Sequence, residues 1–188
     1  MAETKKTKKK KMWIKIIATK EFKNAEIGES YVESPVKLVG RIISVNLMTL
    51  TRDAKKQSVN IQFKITEVSG SDKVSTELVG YEMISAHIKR VTKKIKGKVE
   101  DSMVAQSNDG IKVCVKPLVT TKVKAHRSDL ARLQKAIRIF IKETIEKDSY
   151  INLMKSIVSG NLQKEIKQNT KKIFPINLCI IKTAKIVK

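Results

Sequence analysis

The sequence predicts an α+β fold: a mostly antiparallel, barrel-like sheet with packed helices and a basic, disordered N-terminal tail. Three observations predict it. Residues 1–11 are rich in Lys and show no apolar periodicity. Several later runs alternate apolar and polar residues at strand spacing, with turn residues between them. From Ile84, and again past Ser128, the apolar period changes to that of a helix. Separate runs of strands and helices are the α+β pattern. A length of 188 residues fits one domain, so 1–11 is read as a tail and 12–188 as a single α+β domain.

Each element follows from its residues. The run at 12–22 is apolar and β-branched, which suits a strand or an extended docking segment. Trp13, the sole Trp, is expected to pack the base of the tail onto the core. Residues 37–51 have a buried-strand composition, with Gly40 marking a bulge or a close backbone approach. In the next strand Val59, Ile61, Phe63 and Ile65 share one face. A third strand at 73–83 places Val74, Thr76 and Leu78 together, completing an antiparallel meander. Ile84, His87, Ile88, Val91 and Ile95 recur at helical spacing, and Gly97 is the expected stop. His87 reads as a packed histidine. Asn108-Asp109-Gly110 joins two strands as a hairpin turn, and Pro117 marks an edge or a bulge in the second. Ser128 is the expected cap of a helix with Asp129 in its first turn. That helix buries Leu130, Leu133, Ile137, Phe140, Ile141 and Ile145. A helix at 150–158 ends at Ser159-Gly160, and another carries Leu162, Ile166, Ile173 and Phe174 and stops before Pro175. The closing strand, 176–188, has to return to the sheet.

Composition narrows the function. Apolar residues make up 41%, enough for a core, while aromatics are only 4%. The formal net charge is +22. A compact chain so charged repels itself, and a polyanion offsets that cost in the working state. Thirty-four of the 40 basic residues are Lys and six are Arg. Lys neutralises phosphate as a point charge, whereas Arg reads bidentate geometry; a skewed genome composition would give the same bias. No apolar run is long enough to span a bilayer, and no apolar segment follows the basic N-terminus as in a secretory signal. Cys114 and Cys179 are far apart, with no CxxC or HExxH, so neither a metal nor another cofactor is expected. No glycine-rich phosphate loop, GxSxG or paired carboxylates appear, so an enzyme is not expected.

The basic clusters carry the information. Residues 83–98 and 166–188 contain no acid, and 110–142 contain only Asp129. One such run is usually a solvated face; three of them plus a lysine tail exceed what solubility needs. The candidate RNA-binding residues are Lys5, Lys6, Lys8, Lys9, Lys10 and Lys11 in the tail; Lys89, Arg90, Lys93, Lys94, Lys96 and Lys98 around the first long helix; Lys122, Lys124, Arg127 and Arg132; and Lys171 with Lys172. The tail is read as an arm that orders on RNA rather than a mere solubiliser. Lys122, Lys124, Arg127 and Arg132 are expected to converge at a strand-to-helix corner and clamp a phosphate backbone. A free single-stranded RNA chaperone is the alternative, and it would need exposed aromatics. A peripheral membrane protein would need aromatic residues on an amphipathic helix, which the first long helix lacks.

The segments "KKMWIKIIATKEF", "EIGES", "KLVGRIISVNL", "VNIQFKITEV", "TELVGYEM", "KVCVKPLVTTKVKA", "KAIRIFIKETIE" and "KKIFPINLCIIKTAKIV" occur in this order. The ordered set, across residues 10–187, resembles the archaeal and eukaryotic small-subunit ribosomal protein family S-three-Ae (eukaryotic-type S-one), in its archaeal form. The resemblance implies a structural constituent of the small ribosomal subunit in the cytoplasm, with no catalytic role. It implies small-subunit ribosomal RNA as partner, on the platform near the messenger exit and the RNA 3′ end. Neighbouring platform ribosomal proteins are implied too, with messenger RNA at the exit site as a further candidate. No membrane and no homo-oligomer are expected.

Overall fold

The computed structural model describes residues 10–69, 72–92 and 97–187. Their contacts form two compact units, Met1–Gln57 with Ile61–Val79, and Ser58–Asn60 with Gly80–Lys188.

In the first unit β1 (Met12–Ile17) pairs antiparallel with β2 (Glu26–Val32) and parallel with the start of β5 (Lys73–Met83). β3 (Ile42–Asn46) pairs with β4 (Val59–Val68), which pairs with β5, so the expected neighbour order holds. Strand alternation builds the core: Ile14 and Ile16 of β1, Val32, Ile65 and Val74 are buried together with Leu38. The face expected on β4 is observed, with Val59, Ile61, Phe63 and Ile65 all buried. Phe63 meets Phe22 edge to face at 5.6 Å. β2, whose Gly28 and glutamates mask its strand character, was not foreseen as an element.

Residues 37–51 do not form the single buried strand expected. Pro35–Leu38 is a short 3₁₀ helix, and a turn at Gly40 (φ 87°) leads into β3. Leu47–Thr51 is a helical turn, α1. Local polar chemistry overrides the β-branched composition. Pro35 pre-sets a helical φ, Gly40 supplies the left-handed turn, and the Asn46 side chain accepts a hydrogen bond from the Met48 amide and starts α1.

The second unit is a sheet covered by helices. β8 (Lys112–Thr121) lies between β9 (Ile176–Ile186) on one side and β6 (Lys98–Glu100) with β7 (Met103–Gln106) on the other, all antiparallel. β9 in turn pairs antiparallel with the end of β5. The closing strand therefore returns to the sheet, as expected, where it lies between β5 and β8. Pro117 sits in a central strand at a register shift between Lys116 and Pro117, so the bulge reading holds and the edge reading does not. The hairpin turn uses Gly110 at φ 78°.

Strand pairing returns on itself in neither unit, so the sheet is open and not the curled barrel expected. Barrel closure is one way to remove sheet edges; short edge strands and helix cover are others. Here β6 and β7 are only three and four residues long. Helix α3 (Arg127–Lys147) buries Leu133, Ile137, Ile141 and Ile145, while Leu130 and Phe140, expected in the same stripe, are only half-buried. α4 (Tyr150–Ser159) buries Tyr150, Leu153, Met154 and Ile157 and ends at Gly160, φ 82°. α5 (Asn161–Thr170) buries Leu162, Ile166 and Thr170. It stops four residues sooner than expected, and Ile173 is exposed in the turn that follows. α2 (Ser85–Thr92) carries His87 half-buried, while the end expected at 93–96 lies outside the described residues. Ser128 is not the cap of α3. The chain arrives extended at His126, whose side chain makes no capping bond, and the helix starts at Arg127. Asp129 takes the first-turn position expected of it.

Candidate nucleic-acid interface

The site grows from the amphipathic pattern of α5. Leu162, Ile166 and Thr170 point into the second unit and fix the helix. Lys164, Lys167 and Lys171 recur at three and four residues, so they share the opposite face. That face meets the end of β8 and the start of β9. There the Lys122 amide donates to the Pro175 carbonyl at 3.1 Å, and the Thr121 amide donates to the Gly97 carbonyl at 3.0 Å. Thr121 is itself buried, and its hydroxyl donates to the Val123 carbonyl at 2.8 Å. The Lys167 ammonium donates to the Asn177 carbonyl at 3.0 Å, pinning helix to strand.

The result is a cleft of about 370 Å³ lined by Lys122, Lys164, Lys167, Gln168, Lys171, Pro175 and Ile176. Four cations line it and no acid does. Among the described residues no ion pair engages any of the four. Ammonium groups so gathered favour an anion, and a flexible Lys stem suits a phosphate oxygen approached from several directions. Nearby, burial pushes the Cys179 thiol up to about 12, with the Lys167 ammonium opposing it only in part. The thiol is therefore neutral and serves as an apolar filler rather than a nucleophile.

The structure distributes the expected site residues unevenly. Lys122 and Lys171 meet in the cleft. Lys124, Arg127 and Arg132 are exposed at the corner expected for them but do not line the cleft. Lys172 is exposed beside Lys171 without lining it. Lys89 and Arg90 are exposed on α2. Lys98 is committed to Glu100 at 3.2 Å. Lys10 and Lys11 are exposed at the entry to β1, with the Lys11 ammonium 5.8 Å from the Tyr31 ring centre. Lys5, Lys6, Lys8, Lys9, Lys93, Lys94 and Lys96 lie outside the described residues.

Two cleft residues, Lys164 and Lys167, were not among the candidates. Their signal was present in the spacing: lysines at 164, 167 and 171 opposite Leu162 and Ile166. Glu165 separates Lys164 from the acid-free stretch 166–188, whereas Lys167 lies within it. Trp13 also departs from expectation. It is 63% exposed, not packed on the core, because Ile14 and Ile16 take the inward face of β1 and leave Trp13 on the outer one. No helix among the described residues is long and apolar enough to cross a membrane.

Comparison with known proteins relates this basic chain to proteins of the small ribosomal subunit. The chain is 30% identical over 171 residues to the small ribosomal subunit protein eS1 of Halorubrum lacusprofundi, covering 91% of this chain and 79% of that one. It is 29% identical over 181 residues to the protein of the same name from Methanobrevibacter smithii, covering 96% and 93%. For the Saccharolobus islandicus protein, again of that name, the figures are 30% over 180 residues, covering 96% and 86%. The profile of the Ribosomal S3Ae family matches residues 2–188, and the chain belongs to that family, in its archaeal form.

Proposed function

We propose that this chain is a structural constituent of the small ribosomal subunit that holds ribosomal RNA on the platform, near the messenger exit and the 3′ end of the RNA. The observation that carries the reading is the acid-free cleft with four lysines, in a chain of a ribosomal family. Ribosomal proteins of this family are structural components and not enzymes. The cleft takes a phosphate of the RNA backbone. Lys124, Arg127 and Arg132 at the α3 corner, with Lys89 and Arg90 on α2, add contacts that position the protein without reading sequence. Residues 12–188 form the RNA-binding part, and the lysines of 1–11 act as an arm. Neighbouring platform proteins, and messenger RNA at the exit site, are the further partners in this reading, with the cytoplasmic ribosome as its place.

Sucrose-gradient sedimentation of a cell lysate tests it. The chain is expected to co-migrate with the small subunit at moderate salt. A chain that remains at the top of the gradient in growing cells overturns the assignment and leaves a free RNA-binding protein in its place.

A further inference from the structure

The low aromatic content makes one feature of the first unit stand out. Trp13 and Tyr31 face each other across the β1–β2 pairing. Their ring centres are 5.0 Å apart and their planes inclined by 38°. Both rings stand in solvent, Trp13 at 63% and Tyr31 at 52% exposure. Burial of Ile14 and Ile16 on the other face of β1 fixes this orientation. Nothing in the core explains the rings, since they contribute little to it.

We propose that Trp13 and Tyr31 form a stacking platform for unpaired bases of a single-stranded nucleic-acid segment, with Lys10 and Lys11 taking the adjoining phosphates. Aromatic rings beside cations are the elements of sequence-tolerant single-strand binding, because every base has a π-face and every nucleotide a charge. Both elements are present. The Lys11 ammonium lies near the Tyr31 ring, and Lys10 is exposed beside it. Of the neighbouring acids, Glu26 pairs with Lys15 at 3.1 Å and Glu33 with Lys37, while Glu29 stands exposed opposite Lys15 on the outer face. The adjoining positions of the outer face, Lys11, Lys15 and Glu29, are charged rather than apolar. A protein anchor of Trp and Tyr is normally ringed by contacts that exclude water; charged neighbours keep this one wet. A duplex presents its bases stacked and paired, so only an unpaired segment fits. The platform lies in the other unit from the four-lysine cleft, and the inference does not depend on that site.

Trp13 is the only Trp of the chain, so the intrinsic indole fluorescence of the full-length protein reports on this position alone. Titration with an unstructured eight-nucleotide RNA is expected to quench it saturably. A duplex of the same sequence should bind through the lysines without quenching. Tyr31→Ala, with Trp13 still as reporter, should weaken octamer binding by about five- to hundredfold, in line with the loss of one base-stacking contact. With a labelled octamer followed by anisotropy, Trp13→Ala should lose affinity similarly, and Trp13→Phe should restore most of it. Binding of duplex ribosomal RNA should be unchanged in all three variants, which separates failure of this platform from failure of the ribosomal reading. Octamer binding without quenching, or wild-type affinity in both alanine variants, overturns the proposal. If those variants bind the octamer normally yet drop out of small subunits, the rings are a protein contact and the proposal is equally overturned.

Discussion

At the residue scale two positions have consequences that their sequence context hides. Gly97 reads as a helix stop, a role that rests on flexibility. In the structure a Cβ there would lie 2.4 Å from the Thr121 hydroxyl oxygen, so glycine is required by close approach. Gly97→Ala should destabilise the protein by about 1–3 kcal/mol through overpacking, read as a lower urea midpoint at unchanged slope. Because Thr121 precedes Lys122, the same variant should also weaken RNA binding. The second position is Asp101, whose side chain is only 6% exposed and accepts two hydrogen bonds from the Arg138 guanidinium at 2.9 and 2.6 Å. Arg138 holds the Asp101 carboxyl below the usual carboxylate range. The folded carboxyl thus releases its proton more readily than the unfolded one, and the stabilisation is complete above the unfolded value of about 3.9. It is lost as pH falls through the lower folded value. Arg138→Ala should therefore flatten the acid limb of the stability profile below about pH 4. A variant whose acid limb superimposes on the wild type would remove this account.

At the element scale the β7–β8 hairpin turn does more than reverse the chain. Its Asp109 carboxylate accepts the Tyr150 amide at 2.9 Å, at the start of α4, while the Ser107 hydroxyl donates to the Asp148 carbonyl at 2.6 Å. The turn thus serves as an external cap for a helix about forty residues away, where Ser149 provides the local one. Asp109→Ala should cost about 0.5–2 kcal/mol, the range for loss of an N-terminal cap, measurable as a lower midpoint in thermal denaturation. On α5 the two faces separate stability from function. Changing Lys164, Lys167 and Lys171 together to Ala should cost within about 0.5 kcal/mol at Lys164 and at Lys171, as surface changes usually do, and about 0.5–1.5 kcal/mol at Lys167 for the lost bond to the Asn177 carbonyl. It should shallow the salt dependence of RNA binding by about two to three units, at roughly 0.7–0.9 per phosphate. An unchanged slope would place the RNA contact elsewhere.

At the scale of the whole molecule, the charge of +22 acts on folding and on binding with opposite signs. Salt screens self-repulsion within the chain, since the Debye length falls from about 30 Å at 0.01 M to about 10 Å at 0.1 M. The isolated protein should therefore melt at higher temperature as salt is raised over that range, while its affinity for RNA falls. Parallel melting curves and binding isotherms check both halves. By itself the sequence determined the α+β class, the β4 face, the hairpin at Gly110, the buried stripe of α3, the return of the last strand and the polyanion-binding character. These features follow from local periodicity, turn chemistry and total charge, and each is written in neighbouring residues. Only the tertiary structure decided the rest. It split residues 37–51 into turn, strand and helix, because caps and a left-handed glycine outweigh β-branched composition there. It left the sheet open, because short edge strands and a helix layer do the work of closure. It turned Trp13 outward, because the pleat allows only one of two adjacent residues to face the core. And it joined Lys122 to Lys164, Lys167 and Lys171, because a contact between residues some forty positions apart depends on where β8, β9 and α5 meet, which no local pattern encodes.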